Sequence, residues 1–96
     1  MLYSSHRTVL TPSDSGLTSA AYLVQDWSQM AFQTSDTSIE VHGTLVHGAG
    51  AALATADWST LTTAVAAGLY TLEPGPRYVR FVRNASTTTI LLAGRR

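Results

Sequence analysis

Glycine, proline, aspartate and asparagine recur along this chain at intervals of about 8 to 12 residues, separating short β-prone runs. That rhythm predicts an antiparallel sandwich or barrel. The predicted strands cover residues 19–25, 29–34, 38–46, 58–64, 69–73, 77–84 and 87–93, with one further short strand around 8–10. The clearest alternation sets Ile39, Val41, Gly43 and Leu45 against Glu40, His42 and Thr44, the pattern of a half-buried strand. Residues 73–77 read Glu-Pro-Gly-Pro-Arg. Pro74 and Pro76 have no N–H to give a ladder and Gly75 supplies a flexible corner, so the next strand starts at Arg77 or Tyr78. Residues 48–56, GAGAALATA, have the alanine of a helix, but two glycines and no amphipathic period make a loop the expectation. The fold class expected is all-β, an antiparallel sandwich, over residues 17–96. An extended N-terminal arm, residues 1–16, precedes it, rich in small hydroxyl residues and with little core of its own.

A chain of 96 residues is one domain with a thin core, since at this size about 60 to 65% of the unfolded surface is buried. No cysteine is present to staple it or to act as thiolate ligand or nucleophile. Such a domain gains stability by packing against copies of itself or a larger partner. Only 12% of residues are charged and the net charge is zero, where about 25% charged is usual. Serine and threonine number 24, so the polar surface is largely uncharged hydroxyl. That surface suits close protein contacts better than electrostatic steering of a nucleic acid. The charges are also segregated: all six acids lie between Asp14 and Glu73, and five of the six basic residues, every one arginine, lie from Arg77 onward. Segments of opposite sign invite strand or subunit pairing, and arginine forms planar bidentate pairs where lysine would stay hydrated.

No constellation in the sequence supports catalysis. His6, His42 and His47 are the histidines, and His42 and His47, five apart, fall on opposite faces of one strand, so no metal site is expected. Ser, His and Asp co-occur, but among ten serines that carries no information about a triad. HGAGA at 47–51 lacks the lysine of a phosphate loop, and Asn84-Ala85-Ser86 matches a glycosylation sequon too short to be specific. No cofactor is expected. Arg77, Arg80 and Arg83, with Arg95 and Arg96, form the one basic cluster, interleaved with Tyr78 and Phe81; in a neutral chain this argues for an interface, not a nucleic-acid partner. Ser4, Ser5, His6 and Arg7 interrupt any signal-like apolar run, and no stretch approaches the about 20 apolar residues that span a bilayer, so a product made in a cytoplasm with no membrane partner is expected.

If Val79 and Phe81 face the core, then Tyr78, Arg80 and Val82 form an outward strip, either covered by the arm or offered to a partner. The interface residues expected are this strip together with Arg7, Val9 and Leu10 of the arm. Trp58 is expected in the core against Val79 and Phe81.

The segment Ala56 to Arg83, ADWSTLTTAVAAGLYTLEPGPRYVRFVR, carries a resemblance to known families. Its small residue, Asp, Trp, short strand and RYVR strand resemble discoidin-like carbohydrate-binding sandwiches and small jelly-roll-like bacteriophage virion proteins. Gly68 to Arg80, followed by the threonine-rich run from Thr87 to Leu92, is similar to the virion group. The resemblance covers roughly residues 38–94. Ala56-Asp57-Trp58 lacks the glycine of the sugar-binding pattern, which weakens that version. The resemblance implies a virion structural protein, a head decoration or cement protein that binds the major capsid protein of the assembled shell. It would be made in the host cytoplasm and located in the virion, as a homo-oligomer with a trimer as first expectation. The alternative is a tail or baseplate module binding host-surface carbohydrate through Trp27, Trp58 and Tyr70.

Overall fold

The computed structural model describes residues 5–35, 39–46 and 57–96. Eight strands follow one another, with no α-helix among the described residues: β1 (Ser5–Leu10), β2 (Tyr22–Leu23), β3 (Gln29–Thr34), β4 (Ile39–Thr44), β5 (Ser59–Ala64), β6 (Gly68–Leu72), β7 (Tyr78–Val82) and β8 (Ile90–Arg95). The expected loop 48–56 and His47 lie outside the described residues.

The pairing follows one rule. β1 pairs with β8, β2 with β7, β3 with β6 and β4 with β5, all antiparallel, which is one long hairpin with the β4–β5 connection at its tip. Rolling that hairpin sets β3 against β8 and β4 against β7. Two four-stranded sheets result, β1-β8-β3-β6 and β2-β7-β4-β5, here sheets A and B. The all-β sandwich is as expected, and its strand order is the jelly-roll form that the resemblance implies.

Alternation fills the space between the sheets. Met30, Phe32, Leu72, Ile90 and Leu92 point inward from sheet A, and Ile39, Val41, Ala64, Val79 and Phe81 from sheet B. Phe32 joins the layers, stacked on Tyr70 within its own sheet at 5.2 Å and tilted against Phe81 of the other at 5.6 Å. Trp27 packs on one end of this core, its ring lying over Gly94 of β8.

Two bulges depart from strict alternation, and each moves a side chain that the sequence reading placed elsewhere. In β1 the register slips between Thr8 and Leu10, so Val9 is an extra residue. Val9 and Leu10 therefore both turn inward, 7% and 4% exposed. They were expected at an interface; they belong to the core, and the extended N-terminal segment enters sheet A as an edge strand. In β5, Val41 faces Thr62 while His42 faces Thr60, leaving Leu61 as the extra residue. Counting back from buried Ala64 by twos would point Trp58 inward, but one inserted residue reverses every face beyond it. Trp58 is thus on the outer side of sheet B, not in the core against Val79 and Phe81.

Other strand ends differ for local reasons. The run expected over 19–25 shrinks to Tyr22–Leu23, because the Ser19 hydroxyl accepts the Phe81 N–H at 2.8 Å that a longer ladder would have used. β4 ends at Thr44, leaving Leu45 exposed. The last strand starts at Ile90, not Thr87, after a turn closed by Thr88 N–H to the Ala85 carbonyl.

That turn is held by Arg83, which the sequence reading grouped with the surface arginines and which is only 1% exposed. Its parity on the strand explains this: 79, 81 and 83 point in, and 78, 80 and 82 point out. Nε bonds the Gly16 carbonyl, Nη1 those of Thr11 and Thr88, and Nη2 those of Asp14 and Gly16, at 2.7 to 3.1 Å. All five guanidinium donors are used. Its backbone N–H also reaches the Leu17 carbonyl at 2.8 Å.

Replacing Arg83 with methionine keeps the bulk and strands those carbonyls. We expect Arg83→Met to lower stability by about 3 to 5 kcal/mol, read as a lower denaturation midpoint. At the other end, a Cβ on Gly94 would collide with Cε3 and Cζ3 of Trp27. Gly94→Ala is expected to cost about 1 to 3 kcal/mol and to shift the emission of Trp27, followed in a Trp58→Phe background.

Candidate functional site

Sheet B presents an outward face built from three rows of cross-strand neighbours. Leu23, Tyr78 and Thr44 form the first, Arg80, His42 and Thr60 the second, and Val82, Glu40 and Thr63 the third. Tyr78, Arg80 and Val82 share this face as expected, each half-buried. Arg7 does not join them. It lies on β1 of sheet A with Nη1 on the His6 carbonyl. Arg7 is close enough to Tyr22 to lower its phenol pKa, but burial foremost, with Asp14, raises that phenol above the ordinary value.

The middle of the face is a connected set of side chains. Arg80 Nε donates to His42 Nδ1 at 3.1 Å, and the guanidinium carbon sits 4.6 Å from the centre of the Trp58 ring. His42 Nε2 lies 3.3 Å from Glu40 Oε1. An arginine Nε–H only donates, so His42 Nδ1 must be the accepting nitrogen. The imidazole proton is then on Nε2, facing Glu40. Along the same strand Arg77 sits over Tyr78 at 5.7 Å and bonds the Gln25 side chain through Nη1. Arg77 and Arg80 thus each lie over an aromatic ring, contacts worth about 0.5 to 1 kcal/mol each where exposed.

Sequence reasoning found the strip but not its company. His42 and Glu40 were legible as the polar side of the 38–46 strand, yet their pairing with Arg80 needs the β4–β7 register, which no local pattern encodes. Trp58 was misplaced by the bulge. The three aromatics proposed as a sugar platform are apart: Trp27 caps the core over Gly94, Tyr70 stacks on Phe32 and gives its hydroxyl to the Ala66 carbonyl, and Trp58 lies against Arg80 on the outer side of sheet B.

The outward face of sheet A has a different character. Ala31, itself 3% exposed, and Ala93 floor a shallow groove of about 350 Å³ between Leu69 and Leu91. His6, Arg7, Thr8 and Gln33 are among its other lining residues.

No family model, curated protein or solved structure matches this chain.

The Arg80–His42 bond makes a checkable demand on the proton. In the neutral imidazole, nitrogen shifts should report Nε2 of His42 as the protonated nitrogen and Nδ1 as the accepting one. In His42→Leu, which removes the acceptor, the Arg80 Nε–H resonance should move and its exchange with solvent should quicken.

Proposed function

We propose that this protein is a structural component of a bacteriophage particle, a decoration or cement protein that attaches to the assembled shell and reinforces it. The observation that carries the reading is the outward strip of sheet B, where Arg80, Tyr78, Val82 and Trp58 share a sparsely charged face. Arginine and large aromatics are the types that anchor protein interfaces. The jelly roll adds to this, being a fold used by viral capsid domains, although it serves lectins as well. The Gly68 to Arg80 resemblance points the same way.

Binding, not catalysis, is the proposed activity, with the major capsid protein as partner. Sister copies, three in the first instance, would meet through the Ala31–Ala93 groove and its leucine walls. Attachment repeated over a lattice adds up through multivalency, so each contact need only be modest. The carbohydrate-binding alternative would draw on Trp27, Trp58 and Tyr70, and their separation favours the assembly reading.

Shells lacking the protein, incubated with it and sedimented, provide the test. Wild-type protein should co-sediment to saturation. Arg80→Glu, reversing the charge at the centre of the strip, should reduce occupancy at least about tenfold. Equal occupancy by wild type and Arg80→Glu would reject the strip as the attachment face, and no co-sedimentation of wild type would reject the reading itself.

A further inference from the structure

Two arginines three residues apart on the same strand use their donors in opposite ways. Buried Arg83 spends all five on backbone carbonyls. Arg80 spends one, the Nε–H, on His42, and its two terminal amino groups have no partner among the described residues. Four N–H donors are therefore left on a guanidinium that is nonetheless held in place. His42 fixes the Nε edge at 3.1 Å, and the Trp58 ring at 4.6 Å fixes one face.

We propose that this held fork is a carboxylate-binding site, and that its occupant is an acidic side chain on an extended segment of a protein partner. This rests on the reading of sheet B's outer face as a protein contact. The fork of Nη1 and Nη2 matches the two oxygens of a carboxylate, and fixing it beforehand removes the side-chain entropy that an arginine loses when it binds. Monoanions suit the site better than dianions. Glu40 lies one position away across His42, and no second cation of the face reaches the fork, because Arg77 is engaged with Gln25 and Tyr78. A phosphate would bring more charge toward Glu40 than Arg80 alone offsets.

The flanks choose the carrier of the carboxylate. Tyr78 and Val82 stand two residues to either side of Arg80 on the same face, about 7 Å away along the strand. A side chain spacing of two residues in an extended partner has the same repeat, so an acid with an apolar residue two positions before and after it meets Tyr78, Arg80 and Val82 together. A free sugar acid has no such flanks. Trp58 already has Arg80 over its ring, where a sugar would otherwise stack.

The test is a titration of the full chain, followed at the Arg80 Nε–H and the Trp58 indole N–H by NMR. The probe is a blocked pentapeptide reading valine, threonine, glutamate, threonine, valine. Controls are the glutamine version, glucuronate and inorganic phosphate at the same ionic strength. The glutamate peptide should move both signals saturably and the glutamine peptide should not. In Arg80→Gln the Trp58 shift should vanish, and in Arg80→Lys the affinity should fall at least about tenfold, the loss of one charge-assisted hydrogen bond. Both variants change an outward residue, and an unaltered core spectrum shows that they fold. Stronger response to phosphate or glucuronate than to the glutamate peptide, or equal response in Arg80→Gln, would overturn the proposal. Peptide binding through Arg80 in a protein that ignores shells would support the site and remove the assembly reading. Shell attachment unchanged in Arg80→Gln, with no peptide response in wild type, would remove the site and leave that reading standing.

Discussion

The fold depends on a buried cation that pairs with no anion among the described residues. Transferring a guanidinium out of water is costly, and an acidic partner is the usual remedy. Arg83 is instead surrounded by the carbonyls of Thr11, Asp14, Gly16 and Thr88. Those groups belong to two separate connections, the crossing from β1 to β2 and the loop from β7 to β8. Neither has regular structure with which to satisfy its own backbone, and buried carbonyls without donors are themselves unfavourable. One planar cation with five divergent donors meets both needs. Without disulfides, it is the polar tie between the outer ends of the rolled hairpin, where β1 and β2 would otherwise be held only as edge strands.

Inside that frame, the two bulges decide which chemistry faces out. The one in β1 lets consecutive residues Val9 and Leu10 both enter a core that is short of apolar volume. The one in β5 carries Trp58 from the inner to the outer side, beside Arg80. Leu61, the residue left over, lies against Gly43, where a side chain on β4 would have met its methyl groups. Core packing and the candidate interface are thus linked through register: the same insertion that fills the space above Gly43 delivers the aromatic ring that holds Arg80.

Much of this was legible in the chain. Turn spacing announced an all-β sandwich, alternation in β4 assigned Ile39 and Val41 to the core, and the parity of Val79 and Phe81 put Tyr78, Arg80 and Val82 outside. What could not be read was whatever depends on pairing between distant strands. A bulge leaves no mark in composition, so nothing in the chain announced that Trp58 turns outward or that Val9 and Leu10 both turn inward. Arg83 was grouped with Arg80 by charge, although the parity that placed Arg80 outward already placed Arg83 inward. Arginine is seldom fully buried, so its charge alone gives no sign of a core position. His42 was weighed as a metal ligand because its partners, Arg80 across the β4–β7 pair and Glu40 two residues away, become partners only in the folded register.

The edges of the sheets bear on the functional reading. β5 and β6 are edge strands, and Ser59–Ala64 and Gly68–Leu72 contain no charged residue and no proline. Soluble monomers usually protect such edges with lysine, proline or a covering segment, because an open row of backbone donors and acceptors invites pairing with another chain. The charges nearest in sequence are Asp57, two residues before β5, and Glu73, just beyond β6 and next to Pro74. Leu61 and Leu69 are exposed on these same two strands. A chain so sparing with charge at its edges, and with an apolar groove on one sheet and an arginine strip on the other, has little defence against association. That composition is a hazard for a protein that stays alone in solution, and it is workable for one whose edges and faces are covered by neighbours. The physical economy of the surface and the proposal of an assembled state therefore rest on separate residues, Leu61 and Leu69 for the first and Arg80 with Trp58 for the second, and lead to the same arrangement.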